Sequence, residues 1–257
     1  MRWYGIRGAL ILLLCAPTPS AFAASLADIV EKVAEASVSV GTYQATRSPP
    51  VVFRGTGFAV VDGLHVITND HVLPDKIDHQ NREVLAVFAG EGRNPEMREA
   101  RILVRDPVHD VALLQINGVP LPIYRIGDDR TVRPGEDISF TGFPIGMVLG
   151  LHPVTHRGIV SAITPVVDPA HNSAQLTQRM LSRMRDPFKV FQLDATAYPG
   201  NSGSPVYRQS DGKVIGVVNS VFVKETKETV IEKPSGITYA IPIRHAVKLL
   251  QKAGVLE

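Results

Sequence analysis

Cysteine is almost missing from this sequence. The single Cys15 among 257 residues lies in an N-terminal stretch where Arg2 and Arg7 precede the apolar run Ala9–Ala16 and Ala21-Phe22-Ala23 follows. A basic start, a short apolar run and a small-x-small site read as a secretory signal peptide over residues 1–23, cut after Ala23. The mature chain then has no thiol. Disulfides are excluded, and an exported domain of this size must rely on core packing. The apolar run is too short to span a bilayer, so no membrane insertion is expected after cleavage. Leu14 before Cys15 is larger than the small residue a lipidated leader wants, which argues against a lipid anchor. Surplus charge is missing as well. Losing Arg2 and Arg7 lowers Lys+Arg from 27 to 25, equal to the 25 acids, so the whole-chain charge of +2 overstates the basicity of the mature protein. Nucleic-acid binding therefore has no compositional support. Internal repeats, low-complexity tracts and long helices alternating with strands are also lacking, and the last of these excludes a doubly wound α/β sheet.

What is present is a soluble, core-forming composition, 44% apolar and 20% charged. Leu26–Ala36 has helical spacing, with Ser25 and Asp28 placed as a capping box. Ser37–Tyr43 alternates as a strand. Short β-branched runs then recur at Gly57–Val61, His65–Thr68, Val84–Phe88, Ile102–Val104, Val111–Ile116, Asp137–Thr141, Gly158–Ile163, Phe191–Leu193, Val214–Asn219 and Gly236–Ile241, separated by Gly, Pro, Asp and Asn. That pattern predicts an all-β barrel or sandwich. Ser173–Arg185 reads as an amphipathic surface helix, and Ile243–Leu250 as a closing helix after Pro242. Pro, Gly and charged residues concentrate over Leu121–Pro134, which marks a boundary near residue 125 between two strand-rich halves.

One stretch carries chemistry: Tyr198-Pro199-Gly200-Asn201-Ser202-Gly203-Ser204-Pro205. Glycines on both sides of Ser202 permit a sharp turn that exposes a hydroxyl and gathers N–H groups at one point. In isolation it reads as a surface turn joining two strands. A nucleophilic serine needs a base and a carboxylate to orient that base. Among eight histidines, His71 stands out because it follows the apolar strand ending Val66-Ile67-Thr68. His109 beside Asp110 reads as a solvent-facing neighbour. His152 and His156 flank Pro153, with no Cys or Glu pattern to complete a site, so no metal or other cofactor is expected. Asp110 opens the apolar strand Val111–Ile116, where a carboxylate is expensive to bury unless paired; a turn or cap role is the alternative on spacing alone. The chain order is His71, Asp110, Ser202, and Ser204 breaks the Gly-x-Ser-x-Gly elbow of the α/β-hydrolases.

Gly55-Thr56-Gly57-Phe58, Ile67-Thr68-Asn69-Asp70-His71-Val72, Asp110–Leu114 and Gly200–Pro205, together with Ile126-Gly127-Asp128, Gly142–Gly146, Gly158–Ser161 and Tyr239–Pro242, resemble the trypsin-like protease domain of the HtrA family over roughly Leu26–Leu250. The Gly-Asn-Ser-Gly-Ser-Pro-Val form also resembles bacterial glutamyl endopeptidases. The resemblance implies a chymotrypsin-like double β-barrel over residues 24–257, with a short N-terminal and a closing C-terminal helix. It puts His71 and Asp110 on the first barrel and Ser202 on the second. It implies a His71–Asp110–Ser202 triad and an oxyanion hole from the backbone N–H groups of Gly200 and Ser202. A specificity pocket would lie near Thr196, Ala197 and Tyr198 on one side and Val218, Asn219 and Ser220 on the other. No acid stands at Thr196, which disfavours Lys or Arg before the cut. Ala197 and Asn219 replace the threonine and histidine a glutamyl endopeptidase would want. A small or medium apolar residue is expected there instead. HtrA proteases usually carry C-terminal PDZ domains, and only seven residues follow Leu250, so PDZ-based capture is not carried over. The expected partners are unfolded or extended polypeptides outside the cytoplasm, and relatives that trimerise leave a homo-oligomer open. Three other readings use the same residues: a silent, chaperone-like peptide-binding module, an acyl hydrolase acting on esters, and a scaffold within an oligomer.

Overall fold

In the computed structural model, residues 25–144, 150–166, 187–219 and 236–257 are described, with Met1. The rest of the expected signal peptide, the helix expected over Ser173–Arg185 and the expected pocket residue Ser220 lie outside them.

Helix α1 (Leu26–Val33) begins at the expected capping box: Ser25 N–H and Oγ both donate to Asp28, and Asp28 N–H donates back to Ser25 Oγ. Six strands follow: β1 (Ser37–Tyr43), β2 (Val51–Val60), β3 (His65–Thr68), β4 (Val84–Ala89), β5 (Glu96–Asp106) and β6 (Val111–Ile116). They close in the order β1-β2-β3-β6-β5-β4. A second closed barrel contains β7 (Asp137–Gly142), β8 (Val154–Pro165), β9 (Lys189–Asp194), β10 (Pro205–Arg208), β11 (Val214–Asn219) and β12 (Ile237–Pro242), ordered β10-β11-β12-β9-β8-β7. Helix α2 (Arg244–Lys252) closes the chain. The expected double β-barrel with a short helix at each end is the observed fold.

Strand β6 explains how the barrels are held together. Ala112, Leu114 and Ile116 point into the first barrel's core with Val38, Val40 and Val66. The alternate residues Val111 and Leu113 join a cluster shared between the barrels, with Phe58, Tyr124, Tyr207, Val217 and Ile241. Successive side chains of a strand point to opposite faces, so a strand buried on both sides reads as one continuous apolar run. Helix α2 adds Ala246, Leu249 and Leu250 to the shared cluster. Its N-terminus is fixed by the buried Asp129, whose Oδ2 accepts from Arg244 N–H (3.0 Å) and Arg244 Nε (2.9 Å). A carboxylate there complements the helix dipole.

Candidate active site

His71 stands where β3 ends. After Thr68 the chain makes one 3₁₀ turn, Asp70–Val72. Two arginines pin this turn: Arg105 Nε donates to Asp70 Oδ1 at 2.6 Å, and Arg54 Nε to the Val72 carbonyl at 2.6 Å. Asn69 Nδ2 donates to the Asp110 carbonyl at 2.9 Å and so ties the turn to the start of β6.

Asp110 is wholly buried and has φ +59°, a left-handed conformation that few residues other than glycine adopt. Its Oδ1 accepts the His71 backbone N–H at 3.0 Å, and its Oδ2 accepts His71 Nδ1 at 2.7 Å. A third donor crosses from the second barrel: Asn219 Nδ2 lies 2.5 Å from the same Oδ2. Burying a carboxylate is costly unless hydrogen bonds replace water, and three N–H donors do so here. An ionised carboxylate only accepts, so His71 carries its proton on Nδ1. In the neutral ring Nε2 is left with a lone pair. The imidazole stays about a quarter exposed.

Ser202 lies between β9 and β10. The Asn201 N–H donates to the Tyr198 carbonyl at 3.0 Å, closing a turn with Pro199 and Gly200 in its centre, and Gly200 has φ +101°. Proline fixes φ near −65° at the first central position, so this is a type II turn. Flipping the Pro199–Gly200 peptide would give type I and carry Gly200 to negative φ. Thr56 on β2 holds the turn from the other barrel. Its N–H donates to the Ser202 carbonyl (2.8 Å) and its Oγ1 to the Gly200 carbonyl (2.7 Å). Gly203, at φ +88°, passes so close to β2 that a Cβ would lie 2.0 Å from the Thr56 carbonyl oxygen. The Gly203 N–H then donates to the Val218 carbonyl at 3.0 Å, one residue before Asn219. A path of peptide links and hydrogen bonds thus runs from Ser202 through Gly203, Val218 and Asn219 to Asp110 and His71.

Thr196, Ala197 and Tyr198 are half-buried on the segment leading to this turn. Ala197 N–H donates to Thr238 Oγ1 at 3.0 Å, and Thr238 Oγ1 donates to the Ala195 carbonyl at 2.6 Å. Val218 is wholly buried in the second barrel's core. The contact of the Asn219 amide with Asp110 was not legible in the sequence, where Asn219 stood only as a pocket residue. His156 lies behind the turn, stacked on Phe140 (4.8 Å between centroids) with Asn201 Nδ2 3.5 Å from its Nε2. Burial lowers its pKa below the ordinary histidine value. Among the described residues no three potential ligands converge on a metal site. His109 does not face solvent as expected. Its ring stacks on His245 of α2 at 3.9 Å, meets Phe188 edge-on at 4.7 Å, and its Nδ1 is 2.6 Å from Asp106.

Ser204 also finds its explanation. It is fully buried and faces Gly142, where a Cβ would stand 2.0 Å from Ser204 Oγ. A hydroxyl is accommodated two residues after Ser202 because the facing residue has no side chain.

A double barrel with His71, Asp110 and Ser202 at the junction is the frame of a trypsin-like peptidase, and comparison with known sequences agrees. The trypsin-like peptidase domain model matches residues 55–217, and the chain belongs to that family. Within it the relatives are of HtrA type. A probable periplasmic serine endoprotease DegP-like from Pseudomonas putida (strain GB-1) is 29% identical over 194 residues, covering 75% of this chain and 33% of the relative. Serine protease HTRA1A from Danio rerio is 30% identical over 222 residues, covering 84% of this chain and 39% of the relative. The chain thus spans about a third of the length of the curated relatives it matches. The solved structure of HtrA-type protease AlgW with a decapeptide shares the fold, with TM-score 0.65 at 22% identity over 90% of this chain and 67% of that one.

Proposed function

We propose that the protein is an exported serine endopeptidase that hydrolyses extended polypeptides by acyl transfer to water. The observation that carries this reading is Asp110, buried and bonded at 2.7 Å to His71 Nδ1. That bond leaves Nε2 free to act as a base toward the turn that bears Ser202.

Ser202 Oγ attacks the scissile carbonyl carbon while His71 Nε2 takes its proton. The tetrahedral oxyanion sits against the backbone N–H groups of Gly200 and Ser202, and the type II turn is the form that presents the Gly200 N–H. Collapse expels the amine, which receives the proton from His71, and leaves an acyl-enzyme. Water, deprotonated by His71, releases the acid. Asp110 holds the tautomer and stabilises the imidazolium, and Asn219 holds Asp110. Thr196–Tyr198 form one wall of the site for the residue before the cut, where the absence of an acid favours a small or medium apolar side chain. A periplasmic or secreted location follows from the N-terminal leader, and relatives named as periplasmic proteases support it.

The test is cleavage of an unfolded protein such as reduced casein by the purified protein beside Ser202→Ala. Turnover by the wild type, with a loss on the order of 10⁶ in the variant, is expected from the behaviour of such triads. Equal inertness of both proteins with retained peptide binding would instead support a silent peptide-binding module, and ester-only turnover would support an acyl hydrolase.

A further inference from the structure

We infer that Thr56 is a positioning residue for the oxyanion loop. It is the point at which the first barrel sets the geometry of the two residues whose N–H groups receive the developing charge. This inference rests on the proposed function above.

Thr56 is fully buried, and every polar atom it has is used. Its N–H donates to the Ser202 carbonyl at 2.8 Å. Its Oγ1 donates to the Gly200 carbonyl at 2.7 Å and accepts the Phe143 N–H at 3.0 Å. Its carbonyl accepts Thr68 Oγ1 at 2.7 Å, which anchors Thr56 to β3, the strand that leads to His71. One residue of β2 therefore grips the carbonyls of both proposed oxyanion donors, Gly200 and Ser202, from across the barrel junction. A carbonyl and the N–H of the next residue share one rigid peptide plane. Fixing the Gly200 and Ser202 carbonyls fixes the planes on the C-terminal side of each donor residue. The Gly200 φ of +101° must then be held against a carbonyl that cannot rotate freely. The hydroxyl is the necessary part. Among the described residues it supplies the hydrogen that reaches the Gly200 carbonyl and the lone pair that takes the Phe143 N–H. A side chain without it leaves the buried Phe143 N–H and the half-buried Gly200 carbonyl without that partner. The relaxation that rescues them moves the loop. The cost falls on transition-state stabilisation, because the oxyanion is bound only after attack.

The experiment compares wild type, Ser202→Ala, Thr56→Ser, Thr56→Val and Thr56→Ala on one peptide substrate. It also measures inhibition by a peptide aldehyde, whose carbonyl carbon bonds to Ser202 Oγ and whose oxygen occupies the hole, and by the matching peptide alcohol. A fully lost oxyanion donor costs about 10²–10³, so a displaced one is expected to lower kcat by about tenfold or more in Thr56→Val and Thr56→Ala, with KM within about threefold. The aldehyde should weaken in parallel with kcat, the alcohol should bind unchanged, and Thr56→Ser should restore both kcat and aldehyde binding. Wild-type kcat in both Thr56→Val and Thr56→Ala would overturn the inference, as would a loss confined to KM. If both variants unfold while Thr56→Ser folds, Thr56 is structural only, and the inference also fails. An inert wild type, indistinguishable from Ser202→Ala, would instead defeat the underlying protease reading.

Discussion

At the residue scale the site depends on how a buried charge is satisfied. Asp110 takes two donors from His71 and one from Asn219, and the last comes from a strand 109 positions away. Replacing Asn219 by Ala removes a donor from a buried carboxylate, which costs about 1–3 kcal/mol locally. It should lower kcat/KM about tenfold while the fold persists. Asn219→Asp should do far worse, because it sets a second carboxylate against the first. Steady-state kinetics on the two variants would show the order, and an Asn219→Asp enzyme as active as Asn219→Ala would contradict it. The triad candidates were legible because His71 and Asp110 flank apolar strands and Ser202 sits in a glycine-rich turn. The role of Asn219 was not legible. Nothing local distinguishes it, since it ends the β-branched run Val214–Val218, and only closure of the second barrel turns its amide toward Asp110.

At the element scale, strands were readable where both faces are buried. β3, β6 and β11 coincide with apolar runs in the sequence. β5 and β8 run further than their apolar cores because their ends carry exposed or half-buried polar residues, such as Glu96 and Glu99 on β5 and Thr155 and Arg157 on β8. β10 (Pro205–Arg208) is not legible in the sequence, because it starts at a proline directly after the turn that bears Ser202. That turn imposes a coupling between elements. A Cβ on Gly142, at the end of β7, would lie 2.0 Å from Ser204 Oγ, 2.8 Å from Asn201 Oδ1 and 3.0 Å from Thr56 Oγ1. Gly142→Ala is therefore expected to destabilise by about 1–3 kcal/mol through overpacking and to reduce activity further by displacing the turn. Ser204→Gly in the same chain should recover part of the loss, the Asn201 contact remaining. Thermal unfolding and turnover of the single and double variants would measure this, and strict additivity would refute the contact.

At the scale of the whole molecule, helix α2 is docked onto the loop preceding Asp110 by the stack of His245 on His109, with Phe188 edge-on to both. Burial, and then the positive groups His109, Lys248 and Arg244, push the His245 pKa down to about 3, with Asp106 opposing them. An unfolded chain would bind this proton near pH 6.5. The folded state holds the ring neutral, so stability is intact above pH 6.5 and falls as pH drops from there toward 3. By pH 5 the loss from this group reaches about 2 kcal/mol at most. Denaturant unfolding at pH 7 and pH 5 should show a smaller pH effect in His245→Phe than in wild type, and an unchanged difference would remove His245 from the acid response. This docking joins positions 136 residues apart in sequence, and the periodicity of a single helix does not reveal what its histidine will meet.

Under the proposed function, Ser202 is an activated nucleophile in a site already assembled, with its oxyanion turn in the type II form. The most direct measurement is titration of the purified protein, without peptide activator, with a fluorophosphonate, the labelled residue being located by mass spectrometry. Close to one equivalent of label is expected on Ser202, and none in Ser202→Ala or His71→Ala. Absence of labelling until an activating ligand is added, or label on another residue, would contradict it.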